Sequence, residues 1–147
     1  METDTLVTEL HEGYGTPDLL LEVGENFGLN VEPRTYTMQG ITWLTVKKRA
    51  MLTDEPGLGK TPQAVMSAVS PTLVACPSYL VEQWCEWISS HMFNRDGSRQ
   101  TVTNAMIGNR AQRAQAIAVP TQWTVINKEM LRTHKDELLD RKWQTVI

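Results

Sequence analysis

Six residues carry the most specific chemistry in this sequence. They are the run Pro56-Gly57-Leu58-Gly59-Lys60-Thr61, inside the longer stretch MLTDEPGLGKTPQ. Gly57 and Gly59 allow a tight backbone turn whose N–H groups can approach phosphate oxygens. A helix starting at Lys60 would aim its positive end at the same anion. Lys60 can neutralise β/γ-phosphate charge, and the Thr61 hydroxyl can sit on a magnesium ion. A strict phosphate-loop pattern has glycine where this chain has Asp54. The plainer reading of the stretch is a strand-to-helix turn that happens to contain Gly-Lys-Thr.

A phosphate loop needs a strand before it and a helix after it. The apolar run Ala50-Met51-Leu52 predicts the strand, and Gln63 to Val69 predicts the helix. Upstream, Tyr36 to Val46 repeats Met38, Ile41 and Leu44 at helical spacing. Thr72 to Cys76 is an apolar run of strand length, as in a parallel strand buried on both faces. Pro77 stops it, and Ser78 is placed to cap the next helix. That helix carries Leu80, Val81, Trp84, Trp87 and Ile88 on one face, with Glu82, Gln83 and Glu86 away from it. The tryptophans are read as core in preference to base-stacking platforms.

His91 to Gln100 reads as a loop, and Thr101-Val102 with Ala105 to Ile107 as a strand. Arg110 to Ala118 is predicted helical, Trp123 to Ile126 a strand, and Lys128 to Asp140 a helix with Met130, Leu131, His134 and Leu138 inward. Trp143 to Ile147 begins one more strand. Strands alternating with helices predict an α/β domain with a mostly parallel sheet.

The chain has 147 residues, about one domain, and is 41% hydrophobic. No run of 18 apolar residues exists to span a membrane, and the start has no secretory pattern. Cys76 and Cys85 read as reduced core residues of a cytoplasmic protein. His11, His91 and His134 lack metal-ligand spacing. Charge is divided unevenly. Met1 to Glu32 holds eight acidic residues and no Lys or Arg, hence −8; Pro33 to Ile147 holds fourteen basic and nine acidic, hence +5, which together give the net −3. The first 32 residues read as an acidic N-terminal extension, either a solvated face or a cover for a basic surface.

With these pieces in order, the sequence resembles the first RecA-like lobe of Swi/Snf-related ATPases, in helicase superfamily two. The resemblance covers about Arg34 to Ile147. DEPGLGKTPQ looks like motif I, commonly DEMGLGKTxQ, which accounts for Asp54; Pro56 makes it similar to bacteriophage-encoded members. TLVACPSYLVEQWCEW is similar to motif Ia and its helix, and VINKEMLR to the ITTYExLR segment, with Lys128 for the usual tyrosine. Trp143 to Ile147 echoes the W-x-x-V-I run before motif II. In the adenine-reading segment, L-R-x-Y-Q-x-x-G-x-x-W-L, the positions of Arg34, Tyr36, Gly40, Trp43 and Leu44 fit. Thr37 stands at the glutamine position, too short to donate to and accept from an adenine edge at once.

The resemblance implies a P-loop, RecA-like three-layer α/β sandwich, incomplete at the C-terminus because the chain stops before the Asp-Glu-x-His of motif II. It implies ATP and Mg2+ held by Arg34, Tyr36, Asp54, Gly57, Gly59, Lys60 and Thr61, with Thr61 as the metal ligand. It implies DNA as partner, with Pro77 and Ser78 as candidate backbone contacts; plain helix capping is the competing reading of those two. The expected activity is nucleotide binding without hydrolysis by this chain alone, with a second lobe or another protein chain as further partner. A stand-alone interaction protein derived from such a lobe is the alternative. In related lobes the strand after motif II lies between the P-loop strand and the motif II strand. Two outcomes are therefore expected here: Thr145 to Ile147 pairs directly with Met51 to Thr53, or another chain fills the gap.

Overall fold

A computed structural model describes residues 34–47, 49–94 and 96–147. The acidic extension expected over the first 32 residues lies outside them. The chain divides into two compact units, one ending at Ser67 and one running from Ala68 to Ile147.

In the first unit, helix α1 (Thr35–Val46) packs against helix α2 (Lys60–Met66). Thr37, Met38 and Ile41 are its buried residues, three and four apart as the period requires. Helix α2 begins at Lys60 and tolerates Pro62 because the first helical turn has no intrahelical use for its N–H. The expected strand at Ala50 to Leu52 does not form. Residues 50–55 are without regular structure, and Met51 is 78% exposed. An apolar triplet holds strand geometry only with a ladder partner, and among the described residues it has none.

The second unit is a four-stranded sheet with all its pairs parallel, in the order β2-β3-β1-β4. Its strands are β1 (Thr72–Cys76), β2 (Val102–Asn104), β3 (Trp123–Asn127) and β4 (Thr145–Val146). Helix α3 (Val81–His91) joins β1 to β2, and α4 (Arg110–Ala118) joins β2 to β3. Two short helices, α5 (Met130–Thr133) and α6 (Lys135–Leu139), join β3 to β4. This is the α/β class with a parallel sheet that the alternating pattern predicts, and it is consistent with the RecA-like fold that the resemblance implies.

The central strands β1 and β3 are buried almost throughout, which is why both read as continuous apolar runs. Leu73 and Ile126 form one cluster with Ile117 of α4, Met130 of α5 and Leu138 of α6, closed by Trp143. Alternation along the strands sends Val74 and Val125 to the other face. Helix α3 packs on β2 and β3, with Val81 and Ile88 buried. Trp84 and Trp87 are half-buried, and Trp87 stacks on His91 at 4.6 Å.

Several boundaries differ from the sequence expectation. The last helix is broken at His134 (φ −124, ψ 33), and Leu131 is exposed. The second strand covers Val102–Asn104; Ala105 keeps one bond to β3, its N–H to Val125 C=O at 3.0 Å, before the chain turns, and Ile107 is exposed. Ser78 opens a short 3-10 turn, Ser78–Leu80, and caps nothing with its side chain. The last strand pairs with β1, with Thr72 opposite Thr145 and Leu73 opposite Val146, and not with Met51–Thr53. Its position is fixed by Thr145 Oγ1, which accepts from Val69 N–H at 2.8 Å and donates to Val69 C=O at 3.0 Å. No helix among the described residues is long and apolar enough to cross a membrane.

Candidate functional site

The stretch Asp54–Thr61 is a loop closed by its own side chains. Gly57 (φ 87) and Gly59 (φ 75) both occupy the left-handed region. A Cβ at Gly57 would meet nothing within 4 Å, so glycine is needed there for conformation and not for room. Gly59 is the residue from which α2 springs, and Gln63 N–H returns to its carbonyl at 3.1 Å. The backbone N–H groups of Gly59, Lys60 and Thr61 have no acceptor among the described residues.

Lys60 folds back over the same loop. Its Nζ donates to Asp54 C=O at 2.7 Å and to Glu55 C=O at 2.8 Å. Asp54 therefore contributes its carbonyl to the lysine, while its carboxylate serves Gln63. Gln63 is 2% exposed; its Nε2 donates to Asp54 Oδ2 at 3.1 Å and to Leu58 C=O at 3.3 Å. A buried carboxamide thus ties the first and middle parts of the loop to α2, and burial raises the cost of leaving its donors unmatched. Thr61 lies half-buried in the first turn of α2, its hydroxyl without a partner among the described residues.

Helix α1 supplies the other wall. Thr37 is 5% exposed, and its Oγ1 lies 3.6 Å from the Cβ position of Gly59. The residue at the expected adenine-reading position is thus packed on the glycine turn. Arg34 and Tyr36 are exposed and meet each other, Arg34 Nη1 to Tyr36 OH at 3.5 Å. The loop brings together Asp54, Gly57, Gly59, Lys60 and Thr61; Arg34 and Tyr36 form a separate pair at the start of α1. These donors are of the kinds a magnesium-bound polyphosphate takes: free N–H groups on a left-handed glycine turn, an ammonium and a hydroxyl.

Pro77 and Ser78 belong to the second unit, at the C-terminal end of β1. Ser78 is exposed and its Oγ accepts from Asn127 Nδ2 at 3.2 Å. Lys128 N–H donates to Cys76 C=O at 3.2 Å, locking the ends of β1 and β3 side by side. Burial pushes the Cys76 thiol up, and the charge of Lys128 opposes that shift. Sequence reasoning missed Gln63 and Asn127. Gln63 stands at the closing glutamine of the motif I string DEMGLGKTxQ, the signal that could have found it, whereas an asparagine at a strand end reads as a surface polar residue until the fold brings its neighbours.

A family model described as the SNF2-related domain matches residues 36–147 of this chain. No curated protein matches it.

Proposed function

This chain belongs to the SNF2-related family of helicase-like ATPases, and from that premise we propose that it is a nucleotide-binding lobe which takes Mg-ATP on the Asp54–Thr61 loop. The observation that carries the reading is the pairing of two left-handed glycines with Lys60, whose ammonium hangs over the same turn. In the bound state the N–H groups of Gly59, Lys60 and Thr61 would cradle phosphate oxygens. Lys60 would exchange its two carbonyl partners for phosphate charge. Thr61 would supply its hydroxyl to magnesium, and Arg34 with Tyr36 would flank the base. Magnesium, when bound, neutralises charge on the β- and γ-phosphates.

We further propose that the 147-residue chain binds nucleotide without turning it over, since its sequence contains no Asp-Glu-x-His run to hold the metal and orient water. Family membership also supports DNA as the partner of the second unit, at Pro77 and Ser78, through sequence-independent backbone contacts.

Isothermal titration of Mg-ATP into the wild-type chain and into Lys60→Ala tests the nucleotide reading. Binding is expected in the first and none in the second. Equal heats would remove the loop as a functional site. Phosphate release in the presence of DNA is expected at background, and robust turnover would overturn the second claim.

A further inference from the structure

A nucleotide in the Asp54–Thr61 loop would be held at two ends, and the first unit equips them differently. The phosphate end meets dedicated donors. The Lys60 ammonium hangs over the turn, and the N–H groups of Gly59, Lys60 and Thr61 lie at the start of α2.

The base end needs another kind of group. Adenine presents an amino donor where guanine presents a carbonyl acceptor. Telling the two apart takes a side chain held in place with a donor or an acceptor turned to that edge. Carboxamides suit this best, because they carry both. Among the described residues of the first unit there are two, Gln39 and Gln63. Gln63 is spent. Its Nε2 donates to Asp54 Oδ2 at 3.1 Å and to Leu58 C=O at 3.3 Å, and its Oε1 occupies the place that a side chain at Gly40 would take. Gln39 is exposed, and it stands two positions from both Thr37 and Ile41, which are buried. Residues two apart do not share a helix face, so Gln39 is on the far side of α1 from the loop.

Thr37 is the hydroxyl that α1 turns toward the loop. Its Oγ1 lies 3.6 Å from the Cβ position of Gly59, on the turn that suits phosphate, and the residue is 5% exposed. Thr42 and Thr45 donate back to the carbonyls of Met38 and Ile41 in their own helix. Arg34 and Tyr36 remain, and both are exposed. A hydrogen bond from such a group to a base replaces one to water and discriminates little.

We propose that this site reads the triphosphate and is indifferent to the base, so that it takes nucleoside triphosphates as a class, adenine and guanine alike. The juxtaposition that carries this is Thr37 packed on Gly59, with Gln63 locked between Asp54 and Gly40. It rests on the nucleotide reading of Lys60 above and widens the ligand from Mg-ATP to that class.

The test is isothermal titration of the full chain with Mg-ATP, Mg-GTP and Mg-tripolyphosphate. The two nucleotides are expected to have dissociation constants within about threefold of each other, less than one well-placed hydrogen bond gives. Tripolyphosphate is expected to displace bound ATP. Lys60→Ala should abolish binding of all three. Thr37→Val keeps the shape and removes the hydroxyl, and the ratio of ATP to GTP affinity should stay as in wild type.

A preference for either purine beyond about threefold, or a ratio that moves in Thr37→Val, overturns base indifference and leaves nucleotide binding standing. Tripolyphosphate that fails to displace ATP would show the ligand held by its base, and overturns the inference as well. A wild-type chain that binds none of the three ligands overturns the nucleotide reading and this inference with it.

Discussion

Gln63 occupies the space that a side chain at Gly40 would need: a Cβ there would lie 2.0 Å from Gln63 Oε1 and 2.6 Å from its carboxamide carbon. Helix α1 can approach α2 this closely only because position 40 carries no side chain. Alanine in a helix interior ordinarily gains about 1 kcal/mol over glycine. Overpacking a filled site costs about 1–3 kcal/mol. Gly40→Ala is therefore expected to destabilise the chain by on the order of 1 kcal/mol net. In a Gln63→Ala background the clash is gone, and the same change should become stabilising. Urea unfolding of the four proteins in a double-mutant cycle reads this reversal of sign.

Arg141 should prove the most costly surface-side truncation of the second unit. Its guanidinium donates to the carbonyls of Ile117, Val119 and Thr121 and to Thr124 Oγ1, and it lies 4.2 Å from the Trp143 ring centroid. It thereby binds the end of α4 and the start of β3 to the approach of β4. Charge-assisted bonds of this kind contribute about 1.5–3 kcal/mol. Arg141→Ala should lower stability by about 2 kcal/mol, a drop in Tm of roughly 4–8 °C. Arg141→Lys should recover little, since an ammonium cannot reproduce the planar fork. Differential scanning calorimetry decides the matter.

The cysteines should be slow to react. Burial, with the neighbouring Cys76, Glu82 and Glu86 adding to it, pushes the Cys85 thiol up to about 11. Only the thiolate is nucleophilic. Native protein is expected to release colour from a disulfide reagent slowly at pH 8, and unfolded protein to release two equivalents at once. Fast stoichiometric reaction of the native chain would contradict the packing around α3.

Acid should loosen the turn after α3. The Ser98 hydroxyl and then the Ser98 N–H hold the Asp96 carboxyl below its ordinary value. A depressed folded-state pKa gives stability that is present above the ordinary carboxylate range and is lost as pH falls through the depressed value. Wild type should therefore lose stability below about pH 4 more steeply than Asp96→Asn, by urea midpoints taken from roughly pH 6 to pH 3.

Local pattern made much of this fold readable. β1 and β3 stand within a residue of where continuous apolar runs place them, because strands buried on both faces have no polar positions to confuse the signal. The strand expected at Ala50–Leu52 failed for the converse reason: apolarity does not reveal whether a partner strand is at hand. At His134 the helical pattern continues in sequence while the backbone breaks. In the loop, the glycines and Lys60 were legible from residue type. Gln63 was visible only as the last letter of the motif I string; its contacts were not, since they depend on Gly40, 23 positions away in sequence and touching only after folding.

The two carbonyls that hold Lys60 imply a tax on any incoming anion. The ammonium is already engaged by Asp54 and Glu55, so the loop carries its own competing ligand, at an effective concentration no free phosphate matches. A measured dissociation constant would report a difference between two sets of contacts, and it would understate the new ones by whatever the old ones were worth. Weak binding would then be compatible with strong phosphate contacts. A loop whose Asp54 and Glu55 carbonyls held Lys60 less closely would bind the same anion more tightly, with no contact to the ligand added.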